Sequence, residues 1–178
     1  MFYHRTAVES ADTPYLLELI DYCYRKLLFA LKNPHKEKSQ KSVEEMLKKT
    51  RLSEFEDQKS EIDFSIAMMC ISIIRFITDY IKYLPVTIGH HLLIDNDILC
   101  ILVPLIEEKP YLRTNKNNER EVYENSKWTV VPKNEYSKIP KLEGNLWVAI
   151  YNLFMEPECR KKYELNDFRK SNLLRVNS

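Results

Sequence analysis

His90 and His91, with cysteines at 23, 70, 100 and 159, are the side chains best suited to hold a metal, so their spacing is the first test of chemistry. Adjacent residues on a helix diverge by about 100°, and two neighbouring histidines therefore cannot chelate one ion from one face. Neither is expected to find an acidic or cysteine partner at ligand spacing on its own helix, and His4 and His35 stand alone. The cysteines form no Cys-x-x-Cys pair, and Cys70 and Cys100 lie in apolar runs, so buried reduced thiols are expected in place of zinc ligands. Glu107, Glu108, Glu119 and Glu121 could supply an acid-base pair only if their pKa values were driven apart, whereas carboxylates in a polar loop are normally solvated. No nucleophile, base and orienter assemble from these motifs, and the expectation is a protein without catalysis.

Glycine removes further chemistry. Gly89 and Gly144 are the two glycines of the chain, 55 residues apart, so a dinucleotide fingerprint, a P-loop and a Gly-x-Ser-x-Gly elbow are all excluded. Scarce glycine also argues against an all-β fold with many tight turns. The 178 residues suit one domain spanning 1–178, and their hydrophobic and aromatic content is enough for a core. With 27 basic and 26 acidic residues the net charge is +1, which implies no bulk attraction for nucleic acid or acidic lipid. The longest apolar run, 64–74, is 11 residues, short of the ~20 that span a bilayer, and reads as a core helix. No signal peptide is evident at the start, and a reducing cytosol is the expected compartment.

The elements that must position any site are helical. Thr13-Pro14 opens a helix with Leu16, Ile20, Cys23, Leu27 and Leu31 on one face, ending near Asn33-Pro34. Residues 32–51 carry seven basic and three acidic side chains and read as a flexible linker over about 32–50. A long helix is expected from about Glu54 to Leu84, with Arg75 and Asp79 paired one turn apart. Residues 86–108 read as a short helix, a break at Asp95-Asn96 and a second helix kinked by Pro104. Over 141–176, Leu146, Trp147, Ile150, Tyr151 and Phe154 form a stripe with Trp147 in the core, and further short helices begin at Pro157 and Leu165. Helix, tight turn, helix is the unit of solenoid repeats, so the fold class expected is all-α, armadillo/HEAT-like, with one inserted β-hairpin.

That hairpin, about 119–132, is the exception. Val122 and Tyr123 suit one strand and Trp128 to Val131 the other, turned by Glu124 to Lys127, with the polar run 113–120 as a mobile connection. A lone hairpin is marginal in water and must lean on something, so Trp128 is expected to cover neighbouring helices. Tyr123, Lys127 and Trp128 are also the candidate partner-binding residues, being aromatic and basic types enriched at interface hot spots. The alternative is a generic helical-repeat adaptor whose basic linker, with Phe168 to Lys170, binds an anionic partner, and steep salt dependence would mark it.

Over "DYCYRKL" (21–27), "IIRFITDYI" (73–81), "SKWTVVP" (126–132) and "KLEGNLWVAIYNLFMEPECRKKYELNDFRKSNLLRV" (141–176), in order along nearly the whole chain, the sequence resembles the family of MYND-zinc-finger proteins that act as axonemal dynein arm assembly factors. Members are larger, and their cysteine-rich finger lies C-terminal to the region matched here. The chain therefore looks like an internal piece of such a protein, or a member shortened at both ends, with no cofactor expected in it. Pro104 departs from the family pattern, which has a helix-favouring residue there. The resemblance implies a cytoplasmic, non-enzymatic scaffold that works with chaperones and co-chaperones and a leucine-rich-repeat assembly factor on dynein heavy and intermediate chains for motile cilia. Contact with the leucine-rich-repeat protein is implied for the C-terminal region beyond this chain, and neither nucleic acid nor membrane is expected as a partner.

Overall fold

The computed structural model describes residues 11–32 and 51–175, so the stretch read as a linker lies, but for Lys32, outside the described residues. The architecture is mostly helical with one small three-stranded antiparallel sheet. Helix α1 (Thr13–Lys32) buries Leu16, Ile20, Cys23, Leu27 and Ala30, the three-and-four spacing that turns one stripe inward. Its first turn is closed by the Asp12 carbonyl, which accepts from the amides of Tyr15 and Leu16. Helix α2 (Arg51–Asp79) runs antiparallel to it, with Lys26 of α1 on Asp63 at 2.6 Å and the buried thiols of Cys23 and Cys70 beside each other, one turn back along α1 and two turns on along α2. The expected Arg75–Asp79 pair is present at 3.1 Å. After α2 the chain makes a 3-10 turn (Ile81–Tyr83) and stops before Pro85.

Helix α3 (Val86–His90) continues into a π turn (His91–Asp95), and helix α4 (Leu99–Glu108) leaves it at 61°. The corner is made by Asp97 at φ 44°, whose carboxylate accepts from Tyr163 Oη at 2.7 Å and Arg169 Nε at 2.8 Å. Helix α4 is buried nearly all round and packs against α1, α5 (Lys141–Met155) and α7 (Asp167–Leu174), while α6 (Pro157–Lys162) packs on α3. Helix α5 lies parallel to α2: Asn145 Nδ2 donates to Ser72 and Asn152 Nδ2 to Asp79, so both contacts advance seven residues together. No single described helix is long and apolar enough to cross a membrane.

Both glycines sit in helices, Gly89 where a Cβ would meet Cys159 Sγ at 3.3 Å. Tight turns are instead made by Asp97, Lys109, Asn118, Asn125 and Ser126 at positive φ. Asn and Asp tolerate this conformation because their short polar side chains bond locally.

Four expectations need correction. The hairpin is two thirds of a meander, β1 (Leu112–Thr114), β2 (Arg120–Glu124) and β3 (Lys127–Val130), so the armadillo/HEAT-like reading with a lone insertion is short by one strand. The run 113–120, read as a mobile connection, is the first hairpin of the meander: Thr114 pairs with Arg120, and between them Asn115 Oδ1 accepts from the amides of Asn117 and Glu119, both at 2.9 Å. Trp147 is 40% exposed, since the buried arc of α5 centres on Leu146, Ala149 and Leu153 and Trp147 points about 100° off it. His91 is not isolated: the π turn keeps Asp95 one turn ahead of it at 2.9 Å, and Asp21 of α1 meets its other nitrogen at 2.7 Å.

Candidate functional site

The sheet is joined to the helices through aromatic rings. Register sets Tyr123 of β2 opposite Trp128 of β3, and the two-residue connection Asn125-Ser126, with φ near 50° and 61°, gives the twist a tight hairpin requires. Period-two alternation then puts Arg113, Glu121, Tyr123 and Trp128 on one face, the face turned to α2. Trp128 stacks on Phe64 of α2 at 5.7 Å between centroids and 14° between planes. Tyr123 meets Phe64 edge-on at 5.0 Å and Trp128 edge-on at 5.1 Å. Three rings in offset and edge geometry contribute about 0.5–1.5 kcal/mol per pair beyond their burial, which is how so small a sheet is held.

The Arg113 guanidinium lies 4.1 Å from the Trp128 ring centroid while its Nε donates to Glu121 at 2.6 Å. Between this face and the first half of α2 runs an open cleft of about 460 Å³, lined by Gln58, Glu61, Ile62, Arg113, Lys127 and Trp128 among others. Its floor is aromatic and its walls carry both signs of charge, a combination suited to a side chain with an apolar body and a polar tip.

Of the three candidate residues, Tyr123 is 7% exposed and belongs to the packing, Trp128 is half-buried and lines the cleft, and Lys127 stands exposed at its rim. The structure brings Tyr123 and Trp128 together on one face, while the pleat turns Lys127 from them. Arg113 and Phe64 are the members that sequence reasoning missed. A three-residue strand leaves no readable alternation to reveal Arg113, and Phe64 is hidden in a continuous apolar run.

Glu107, Glu119 and Glu121 are engaged by Arg175, Asn115 and Arg113 respectively, and form no pair with one another. Glu108 lies on the last turn of α4. Among the described residues, no three His, Cys, Asp or Glu side chains gather at metal-binding distances.

Among known proteins, the Drosophila melanogaster zinc finger MYND domain-containing protein 10 homolog is 27% identical to this chain over 172 residues, covering 94% of the chain and 36% of that protein. The similarity supports the family resemblance carried by the sequence, and the chain spans about a third of that relative's length. No protein-family model matches the chain, and no solved structure matches it.

Proposed function

For a chain related over nearly its whole length to the zinc finger MYND domain-containing protein 10 homolog, we propose a cytoplasmic scaffold that binds proteins, without catalysis, during chaperone-assisted preassembly of axonemal dynein arms. The observation that carries this reading is the cleft beside Trp128: an aromatic ring half-buried on Phe64, backed by a guanidinium, and still open to solvent. A ring already ordered by packing loses little side-chain entropy on binding, which is the property of an interface anchor. Dynein heavy and intermediate chains, chaperones, co-chaperones and a leucine-rich-repeat assembly factor are the partners proposed. No cofactor is assigned to this region.

In this reading the helices are a degenerate armadillo/HEAT-like stack. It is supported by α1 and α2 running antiparallel while α5 returns parallel to α2, the alternation that stacked helix pairs produce.

Affinity capture from ciliated-cell cytosol, with the chain beside its Trp128→Ala and Arg113→Ala variants, tests the proposal. Dynein chains or chaperones retained by the parent and lost from folded variants, identified by mass spectrometry, are the expected outcome. Equal capture by parent and variants would return the cleft to packing alone.

A further inference from the structure

The sheet ends in an open hydrogen-bonding edge beside the Trp128 cleft, because β3 is the last strand in the order β1, β2, β3. Its ladder to β2 continues past the strand in the bond from Val131 N to Arg120 O at 2.8 Å, and bonded pairs alternate along an antiparallel ladder. Lys127 and Thr129 therefore turn their amide and carbonyl groups to β2, whereas Trp128 and Val130 turn theirs outward. Among the described residues, nothing hydrogen-bonds to those outward groups. Val130 is 44% exposed, and Lys127 and Thr129 are exposed as well, so the edge is open to solvent.

Two donors and two acceptors repeating at every second residue are satisfied in full by another extended backbone and not by a helix, whose own groups are already paired. The pleat then fixes where the side chains of an added strand go. Residues opposite Trp128 and Val130 share their face, turned toward α2, where Ile62 and Gln58 line the cleft beside Trp128. The residue opposite Lys127 lies on the other face at a non-hydrogen-bonded position, with Cβ atoms about 4.5–5.5 Å apart.

The charge at that position is local. Lys127 makes no ion pair among the described residues, although Glu124 stands opposite it on β2. Glu124 is on the inner side of Lys127, one strand further from an added strand, and Glu61 belongs to α2, on the other face. From Asn125 to Asn134 the charged residues are Lys127 and Lys133, so a second copy pairing through the same edge would bring lysine and no carboxylate to Lys127.

We propose that an extended segment of a partner protein adds to β3 as a fourth, antiparallel strand, with apolar residues opposite Val130 and Trp128 and a carboxylate opposite Lys127. Read in its own direction, that segment is apolar, any residue, apolar, acidic. Backbone bonds supply the affinity of such an addition, and alternate side chains supply its selectivity. The inference names the partner chemistry of the Trp128 cleft and rests on the scaffold reading.

The test uses the whole chain and three short labelled peptides. One carries Val-Thr-Val-Glu between Ser and Gly spacers, one has Lys in place of Glu, and one is the first peptide N-methylated at both valines, which keeps every side chain but removes the donors facing β3. Fluorescence anisotropy is expected to show the Glu peptide binding about fivefold tighter than its Lys twin and about tenfold tighter or more than the methylated one. Lys127→Glu should reverse the order of the Glu and Lys peptides. Val130→Pro removes an outward donor without touching the ladder to β2, and should weaken binding about tenfold with thermal melts unchanged. Lys127→Glu and the methylated peptide leave the backbone of β3 as it is, so they decide the matter even where proline unsettles the fold. Binding of neither Glu nor Lys peptide, equal binding of the methylated one, or no reversal by Lys127→Glu overturns the proposal. So does a dimer in sedimentation equilibrium that Val130→Pro dissolves in the absence of peptide binding, which would assign the edge to a second copy. Capture of dynein chains lost with Trp128→Ala but retained by Val130→Pro would remove this proposal alone and leave the cleft reading standing.

Discussion

His91 joins two elements through its two ring nitrogens, Nε2 on Asp21 of α1 and Nδ1 on Asp95 of the π turn. Partial burial opposes its charge, but hydrogen bonds to Asp95 and Asp21, with the field of both carboxylates, outweigh this and hold the pKa above its ordinary value of 6.5. A folded-state pKa raised in this way stabilises the protein fully below about pH 6.5, and that contribution is lost as pH rises through the folded value. Thermal melts from about pH 6 to pH 8.5 should therefore show a falling Tm for the parent and a flatter profile for His91→Gln. A parent profile as flat as the variant's would mean that His91 is neutral in the fold. Spacing alone shows that His91 and Asp95 are four apart. What it does not show is that the helical turn persists through Asp95, or that Asp21, 70 positions earlier, reaches the ring.

At the scale of elements, the three-strand meander leans on one residue of α2. Phe64 is 2% exposed and touches both Tyr123 and Trp128. Phe64→Ala should cost about 3–5 kcal/mol, because it removes a buried ring and leaves a cavity under the sheet. Trp128→Ala should cost less, about 1–2 kcal/mol, since half of that ring already faces water. Urea denaturation of both variants checks the order, and the reverse order would make Trp128, not Phe64, the anchor of the sheet. The second and third strands were legible because hydrophobic and aromatic residues flank a four-residue turn signal. The first was not, because Leu112–Thr114 is too short to alternate visibly and its pairing with Arg120–Val122 depends on a turn organised by the Asn115 side chain.

Over the whole molecule, three cysteines report on the core they sit in. Cys23, Cys70 and Cys159 are buried on α1, α2 and α6, and burial pushes the Cys159 thiol up to about 11. A thiol hidden from the reagent by packing reacts only when the fold opens. Native labelling with an alkylating reagent should leave these three unmodified on the timescale of Cys100, which is half-buried, until denaturant reaches the unfolding transition. Early labelling of Cys159 alone would show that α6 opens independently. By itself the sequence determined the helical class, the inward stripe of α1 and the Arg75–Asp79 pair, because these rest on local periodicity and composition. Tertiary structure alone decided that Arg113 stacks on Trp128, that Trp147 faces solvent, and that Phe64 of α2 underlies the sheet. Each of these depends on which elements pack together and in what register, and contacts between residues 15 to 70 positions apart leave no trace in local spacing.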